Sequence, residues 1–152
     1  MTETSHDIRT LNSLVATVID SIEGYEESAK DAGSSRFASM FNDRAAERRQ
    51  VLTKLQAEVS RLGGNPADTG TTAGAAHRGF VNLKSVVTGQ DDKAIINEVE
   101  RGEDHIKEKF EDALRDNDLS APTKSVIQEC FASVRQGHDQ MSALKHSMEA
   151  TS

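Results

Sequence analysis

Three of the four long helical segments in this sequence carry an ionisable residue inside the stripe that should be purely apolar. These residues are Glu26, Glu103 and His138, and Glu100 lies one helical turn before Glu103. A charged group in a helical core is costly unless it is paired, so function is expected at these positions. Carboxylates together with an imidazole suit iron, manganese or zinc. We therefore take Glu26, Glu100, Glu103 and His138 as candidate metal ligands.

Each of these residues also has an explanation without metal. The second segment places Arg48 near the centre of its own apolar stripe, and Glu26 could pair with Arg48 or Arg44 across the first helical hairpin. Such an ion pair would specify the register of the helices and would do no chemistry. In the same way, Glu103 could hydrogen-bond His138 directly. The sequence leaves both explanations open.

Apolar residues at helical spacing predict the elements that must position these side chains. Glycine and proline mark the divisions: the first segment stops at Gly33, the second stops at Gly63-Gly64, and Pro122 suits the first turn of the last. The predicted helices cover about residues 7–32, 35–62, 75–87, 91–115 and 121–149.

The order of these segments predicts the topology. Two helical hairpins are joined by a connection of about 25 residues, which is far longer than an ordinary helix-to-helix turn. A four-helix bundle with one long crossover between its second and third long helices is the ferritin-like arrangement. We therefore predict an all-α, ferritin-like four-helix bundle. It consists of two antiparallel helical hairpins joined by a long crossover that contains a short helix, in a single domain over residues 1–152.

The metal site of better-known ferritin-like proteins provides a stricter test of function. That site uses a Glu from each of two helices and a Glu-x-x-His pair from each of the other two. Here the second segment offers Glu47 with Gln50 in the histidine position, and Arg135 stands three residues before His138. The remaining groups could hold one metal ion or none, and no residue is assigned a catalytic role.

Several short motifs carry a resemblance to a known family. They are Gly24-Tyr25-Glu26, Leu62-Gly63-Gly64 with Pro66, His77-Arg78-Gly79-Phe80, Glu100-Arg101-Gly102-Glu103-Asp104 and His138-Asp139. With these motifs the chain resembles, from about Leu11 to Lys145, a bacterial family of small ferritin-like four-helix bundles that carries a domain of unknown function. The resemblance implies the bundle fold and implies no particular activity.

Composition excludes some classes of partner and suggests a setting. The net charge of −7 and the pI near 5.2 argue against nucleic-acid binding, which needs a clustered basic surface. No apolar run approaches the roughly 20 residues that span a bilayer. Cys130 is the only cysteine, which rules out an internal disulfide, and the lack of a signal peptide favours a cytoplasmic protein. A homodimer is expected, because symmetric dimers are the commonest oligomers.

Two functions from different classes remain. The first is a metal-dependent oxidase, storage or stress-protection protein that uses iron or manganese bound by the candidate ligands. The second is a non-catalytic bundle that keeps at most residual metal binding and serves as an assembly or partner-binding module. The incomplete Glu-x-x-His pattern favours the second function, although the fold by itself does not decide between them.

Overall fold

The computed structural model describes residues 2–70 and 92–150, which contain four helices and no strand. The helices are α1 (Thr2–Asp31), α2 (Ser35–Arg61), α3 (Asp92–Leu114) and α4 (Ala121–Ala150). The all-α prediction is confirmed, although α1 begins at Thr2 and not at about residue 7. The short helix predicted for residues 75–87 lies outside the described residues. None of the described helices is long and apolar enough to cross a membrane.

Local sequence signals set both ends of α2. At the start, Ser34 Oγ accepts a hydrogen bond from the backbone N–H of Arg36 at 3.2 Å, as an N-cap side chain does. After the end of the helix, Gly63 has φ of 86°, a left-handed conformation that favours glycine. The backbone N–H of Gly64 then donates to the carbonyl of Val59 at 3.0 Å, which closes a Schellman turn. This turn ends α2 where the glycine pair predicts.

Contacts near the helix ends define the directions of the helices. Asn12 of α1 donates to the carbonyl of Asn65, just after α2 ends, so α1 and α2 are antiparallel. His6, near the start of α1, pairs with Asp116, just after α3 ends, so α1 and α3 are antiparallel as well. Helices α2 and α3 therefore run in the same direction. As a result, α2 ends and α3 begins at opposite ends of the bundle, as the ferritin-like topology requires.

The apolar core consists of two buried clusters that follow one another along the bundle. The larger cluster includes Leu11, Val18, Leu55, Phe110 and Ile127. The smaller cluster includes Tyr25, Phe41, Ile96, Val99 and Met141. Between them, at the level where the helices pass from one cluster to the other, lie the buried side chains of Arg48 and Glu103. The core is therefore interrupted by a charged layer.

A buried carboxylate of α1 caps the start of α4. Asp7 Oδ1 accepts the backbone N–H of Ser120 at 3.1 Å, and Oδ2 accepts the hydroxyls of Ser120 at 2.5 Å and Thr123 at 3.0 Å. A negative charge at a helix N-terminus is favourable because the first N–H groups of the helix lack partners within it. Asp7 therefore holds the α3–α4 turn against the first turns of α1.

Removing this carboxylate is expected to destabilise the bundle. We predict that Asp7→Ala lowers the free energy of unfolding by about 1–3 kcal/mol, because three hydrogen bonds to a buried charged group are lost. Urea denaturation followed by circular dichroism measures the change. Asp118→Ala is the matched control, since Asp118 has an exposed side chain in the same turn. Equal stability of the two variants would contradict the capping role.

Candidate functional site

The centre of the bundle holds an ion pair between Arg48 of α2 and Glu103 of α3. The Arg48 side chain is 0% exposed and that of Glu103 is 1% exposed. Arg48 Nη2 donates to Glu103 Oε1 at 2.7 Å, and Nη1 donates to Ser21 Oγ of α1, also at 2.7 Å. Nη2 also lies 3.5 Å from the backbone oxygen of Val134 in α4. One guanidinium group therefore contacts all four helices.

Tyr25 of α1 completes this central group. Its hydroxyl donates to Glu103 Oε2, so both carboxylate oxygens of Glu103 have a donor. The Arg48 guanidinium lies 5.8 Å from the centroid of the Tyr25 ring, within the range of a cation–π contact. Burial raises the pKa of Tyr25 well above its ordinary value, and the negative charge of Glu103 raises it further. The phenol is therefore protonated and acts as a hydrogen-bond donor.

This central group does not fit the two-metal centre of ferritin-like proteins. That centre needs inward carboxylates and histidines from four helices, whereas a guanidinium has no acceptor atom to offer a metal. Burial lowers the pKa of Arg48, but the charge of Glu103, the hydrogen bond to it and smaller contributions from neighbouring groups together outweigh burial and raise the net pKa, so the cation persists. Glu47, the carboxylate of the predicted Glu-x-x-Gln pattern, pairs instead with Arg44 at 2.6 Å. No step of metal chemistry is therefore assigned to the core.

The placement of Glu26 and Glu103 differs from the prediction. Glu26 is 42% exposed and pairs with Arg49 of α2, where the sequence suggested Arg48 or Arg44. It lies roughly 40° from the centre of the α1 stripe, which is enough to bring it to the edge of the helix interface. Glu103 pairs with Arg48, where the sequence suggested His138. Among the described residues, neither glutamate belongs to a group whose ligand atoms lie close enough for one ion.

A second site lies at the surface between α3 and α4. Glu100, Asp104 and His138 bring their ligand atoms within 4.8 Å of one another. His138 Nε2 lies 2.6 Å from Asp104 Oδ1, and Glu100 Oε1 lies 3.5 Å from Lys145 Nζ. The side chains of Glu100 and His138 are each only 13% exposed, whereas Asp104 is 57% exposed. Two of the four residues proposed from the sequence, Glu100 and His138, are therefore brought together here.

The surroundings of His138 orient its ring. Asp139 Oδ1 lies 3.2 Å from Nδ1, on the side of the ring opposite Asp104. Partial burial lowers the pKa of His138, but the hydrogen bonds with Asp104 and Asp139 outweigh this effect, and the net pKa is raised. Both ring nitrogens face a carboxylate, so a metal bound at Nε2 would replace the proton on that nitrogen, while Asp139 would keep its contact with Nδ1. Nε2 is the nitrogen that faces Asp104.

Asp104 is the member of this surface site that the sequence reasoning missed. It follows Glu100 by four residues, and this spacing puts both side chains on one face of a helix. The spacing is the signal in the sequence from which Asp104 could have been predicted as a ligand.

A further group of His6, Asp116 and Asp118 also brings its ligand atoms within 4.8 Å. His6 Nε2 lies 2.6 Å from Asp116 Oδ2, a contact that links α1 to the α3–α4 turn.

A groove of about 520 Å³ between α2 and α4 offers no comparable chemistry. Lys54 Nζ and Glu129 Oε1, both on its lining, are 2.8 Å apart, so these two charges satisfy each other. Cys130 also lines the groove but is 1% exposed. Burial raises the pKa of the Cys130 thiol to about 11, which keeps it in its unreactive protonated form. Cys130 is therefore a residue of the apolar core.

Comparisons with known proteins agree with the fold. Residues 6–116 match a family described as a domain of unknown function, DUF2383. Among solved structures, the chain is similar to a two-domain protein from Anabaena variabilis that contains DJ-1/ThiJ/PfpI-like and ferritin-like domains. The two are 14% identical with a TM-score of 0.74, and the match covers 95% of this chain but 40% of that chain. No curated protein matches the sequence.

Tyr25 allows the central group to be tested by titration, because the chain has one tyrosine and no tryptophan. We expect no phenolate absorbance in the folded protein as the pH rises past the ordinary tyrosine pKa of 10.0. Because the folded-state pKa is raised, the stability that the protonated phenol contributes is present below that pH. It is lost as the pH rises through the raised pKa, so deprotonation should accompany alkaline unfolding.

Glu103→Gln is the comparison variant for this titration. It removes the negative charge that adds to the effect of burial, so phenolate should form at a lower pH than in the wild-type protein. Ultraviolet absorbance and circular dichroism, recorded on the same samples, separate ionisation from unfolding. Phenolate formation at the ordinary pKa in a protein that is still helical would contradict the buried Tyr25–Glu103 contact.

Proposed function

Because this chain belongs to the DUF2383 family, a family of unknown function with the ferritin-like fold seen here, we propose that it is a non-catalytic bundle that binds one divalent metal ion. The proposed ligands are Glu100 and Asp104 of α3 and His138 of α4. The observation that carries the proposal is the approach of their ligand atoms to within 4.8 Å of one another.

The chemistry of these three ligands suits a transition metal. Two carboxylates and one imidazole are ligands for zinc, manganese or iron, and water can fill the remaining coordination positions. Asp139, on the far side of the His138 ring, would hold the ring in the orientation that metal binding needs. Lys145 lies 3.5 Å from Glu100 and would have to give up that contact when an ion binds. The flexible lysine stem allows this movement.

The non-catalytic part of the proposal rests on the bundle core. Oxidase chemistry in ferritin-like proteins uses two metal ions held among inward carboxylates and histidines. The centre of this core holds the Arg48–Glu103 pair, and the described residues place no group of three possible ligands for one ion around it. The alternative of an iron or manganese oxidase, storage or stress-protection protein would have to operate with groups of ligands outside the core. The geometry therefore favours binding over catalysis.

Metal binding is best tested with matched variants and elemental analysis. The wild-type protein is incubated separately with Zn(II), Mn(II) or Fe(II), and the iron samples are kept anaerobic. We expect the protein to retain about one ion per chain of at least one of these metals. His138→Ala and Asp104→Asn should each weaken binding by at least about tenfold in calorimetric titration, since each removes one of three ligands.

Two controls separate this site from other interpretations. His105→Ala changes an exposed histidine beside Asp104 and should leave binding unchanged. Glu26→Gln removes a glutamate that the sequence suggested as a ligand but that the structure pairs with Arg49, and it should also leave binding unchanged. Loss of metal in Glu26→Gln, or full binding in His138→Ala, would overturn the assignment. No binding of any of the three metals by the wild-type protein would overturn the proposed function.

A further inference from the structure

Every helix contributes to the charged layer between the two apolar clusters. Ser21 and Tyr25 come from α1, Arg48 from α2 and Glu103 from α3. The fourth contribution, from α4, is Gly137, whose lack of a side chain leaves room beside Arg48. In ferritin-like bundles, side chains from facing helices project inward to form the metal centre. The same kind of arrangement here surrounds a guanidinium group.

We propose that Arg48 is a built-in cation that occupies the place of a core metal, and that the surrounding layer is a guanidinium-binding site. In this view α1, α3 and α4 form the binding site, and the Arg48 side chain of α2 is the group bound in it. The site should therefore accept free guanidinium once the Arg48 side chain has been removed. This proposal is independent of the surface metal site, because it concerns the core and none of its residues is a surface ligand.

The acceptors around Nη1 and Nη2 suit the planar shape of a guanidinium group, whereas the buried Nε of Arg48 has no hydrogen-bond partner among the described residues. Two different nitrogens make the two 2.7 Å hydrogen bonds, Nη1 to Ser21 Oγ and Nη2 to Glu103 Oε1. A planar group with fixed N–H directions can satisfy both acceptors at once, whereas the compact ammonium of lysine presents its three donors from one point. The Tyr25 ring adds a surface suited to the same cation.

The charge balance makes the cation necessary. Glu103 is 1% exposed, and a carboxylate buried to this degree is strongly unfavourable without an opposite charge. The Tyr25 hydroxyl hydrogen-bonds Glu103 but carries no charge, because its pKa is raised. Arg48 is thus the partner that neutralises the buried carboxylate. Removing Arg48 leaves an uncompensated charge, and a diffusible cation of the right shape should relieve it.

Gly137 provides an independent sign that the layer is shaped around arginine. A Cβ atom at this position would lie 2.6 Å from Arg48 Nη2 and 2.9 Å from Arg44 Nη1. Glycine inside a helix is less favourable than alanine, so its presence in α4 needs a packing reason. The close approach of the two guanidinium groups supplies that reason, since only glycine leaves them enough space.

The first experiment is chemical rescue of Arg48→Ala. Thermal unfolding is followed by circular dichroism in buffer, in about 20 mM guanidinium chloride, and in the same concentration of urea or sodium chloride, far below denaturing levels. We expect the substitution to lower the Tm by an amount on the order of 10 °C. Guanidinium should restore about half of this loss by binding the folded state, and urea and sodium chloride should not.

The double variant Arg48→Ala/Glu103→Gln is the control for charge recognition. Without the buried carboxylate, guanidinium should no longer raise the Tm more than sodium chloride does. Equal rescue by urea and guanidinium, an undiminished response in the double variant, or an Arg48→Ala protein as stable as wild type would each overturn the proposal. If Arg48→Ala does not fold alone, recovery of the helical signal in guanidinium but not in urea supports the proposal, and no difference between the two overturns it.

A second experiment uses Gly137 as a steric probe. In the wild-type background, Gly137→Ala should lower the Tm by several degrees, because the new Cβ meets the Arg48 guanidinium. In the Arg48→Ala background, the same change should lower the Tm less, because of the two guanidinium groups only that of Arg44 still meets the new Cβ and alanine is the better helix former. Gly102→Ala is the matched control, since its Cβ meets nothing within 4 Å, and its effect should not depend on Arg48. The same effect of Gly137→Ala in both backgrounds would contradict the proposal.

Discussion

The buried ion pair between Arg48 and Glu103 is the constraint on which the rest of the bundle depends. Both side chains are withdrawn from water, so each requires the other, and the pair binds only when α2 and α3 have the correct depth and rotation. The hydrogen bonds from Arg48 to Ser21 and towards Val134 extend the same requirement to α1 and α4. The apolar clusters on either side constrain the helices through packing, and the charged layer adds directional hydrogen bonds that favour one register.

The same pair decides where metal chemistry can occur in this fold. In a ferritin-like bundle, inward carboxylates are normally neutralised by metal ions. Here the carboxylate of Glu103 is neutralised by a side chain of the protein, so the core has no need of an ion. The cluster of carboxylates and imidazole proposed to bind metal lies between α3 and α4, where the exposed Asp104 side chain lets water reach it. A surface site with three ligands suits reversible binding of one ion better than oxygen chemistry.

Glu26 and Asp104 illustrate what helical periodicity cannot predict. A helical wheel predicts that Glu26 belongs to the apolar stripe of α1, at an offset of roughly 40° from its centre. In the structure this offset brings Glu26 to the edge of the helix interface, where it pairs with the long side chain of Arg49. Asp104 lies on an exposed face of α3, four residues after Glu100 and on the same side of the helix. It became a candidate ligand only because α4 places His138 beside it. The role of Asp104 therefore depends on a partner from another helix, and that of Glu26 depends on both its offset on the wheel and its pairing with Arg49.

The sequence by itself determined the four long helices, their order and several of their ends, because spacing of apolar residues and turn chemistry at residues such as Gly63 are local properties. It also identified Arg48 and Glu103 as charged residues within apolar stripes. Only the tertiary structure decided that these two residues meet. They are separated by 55 positions, and contact between them depends on the relative depth and rotation of packed helices, which no local pattern encodes.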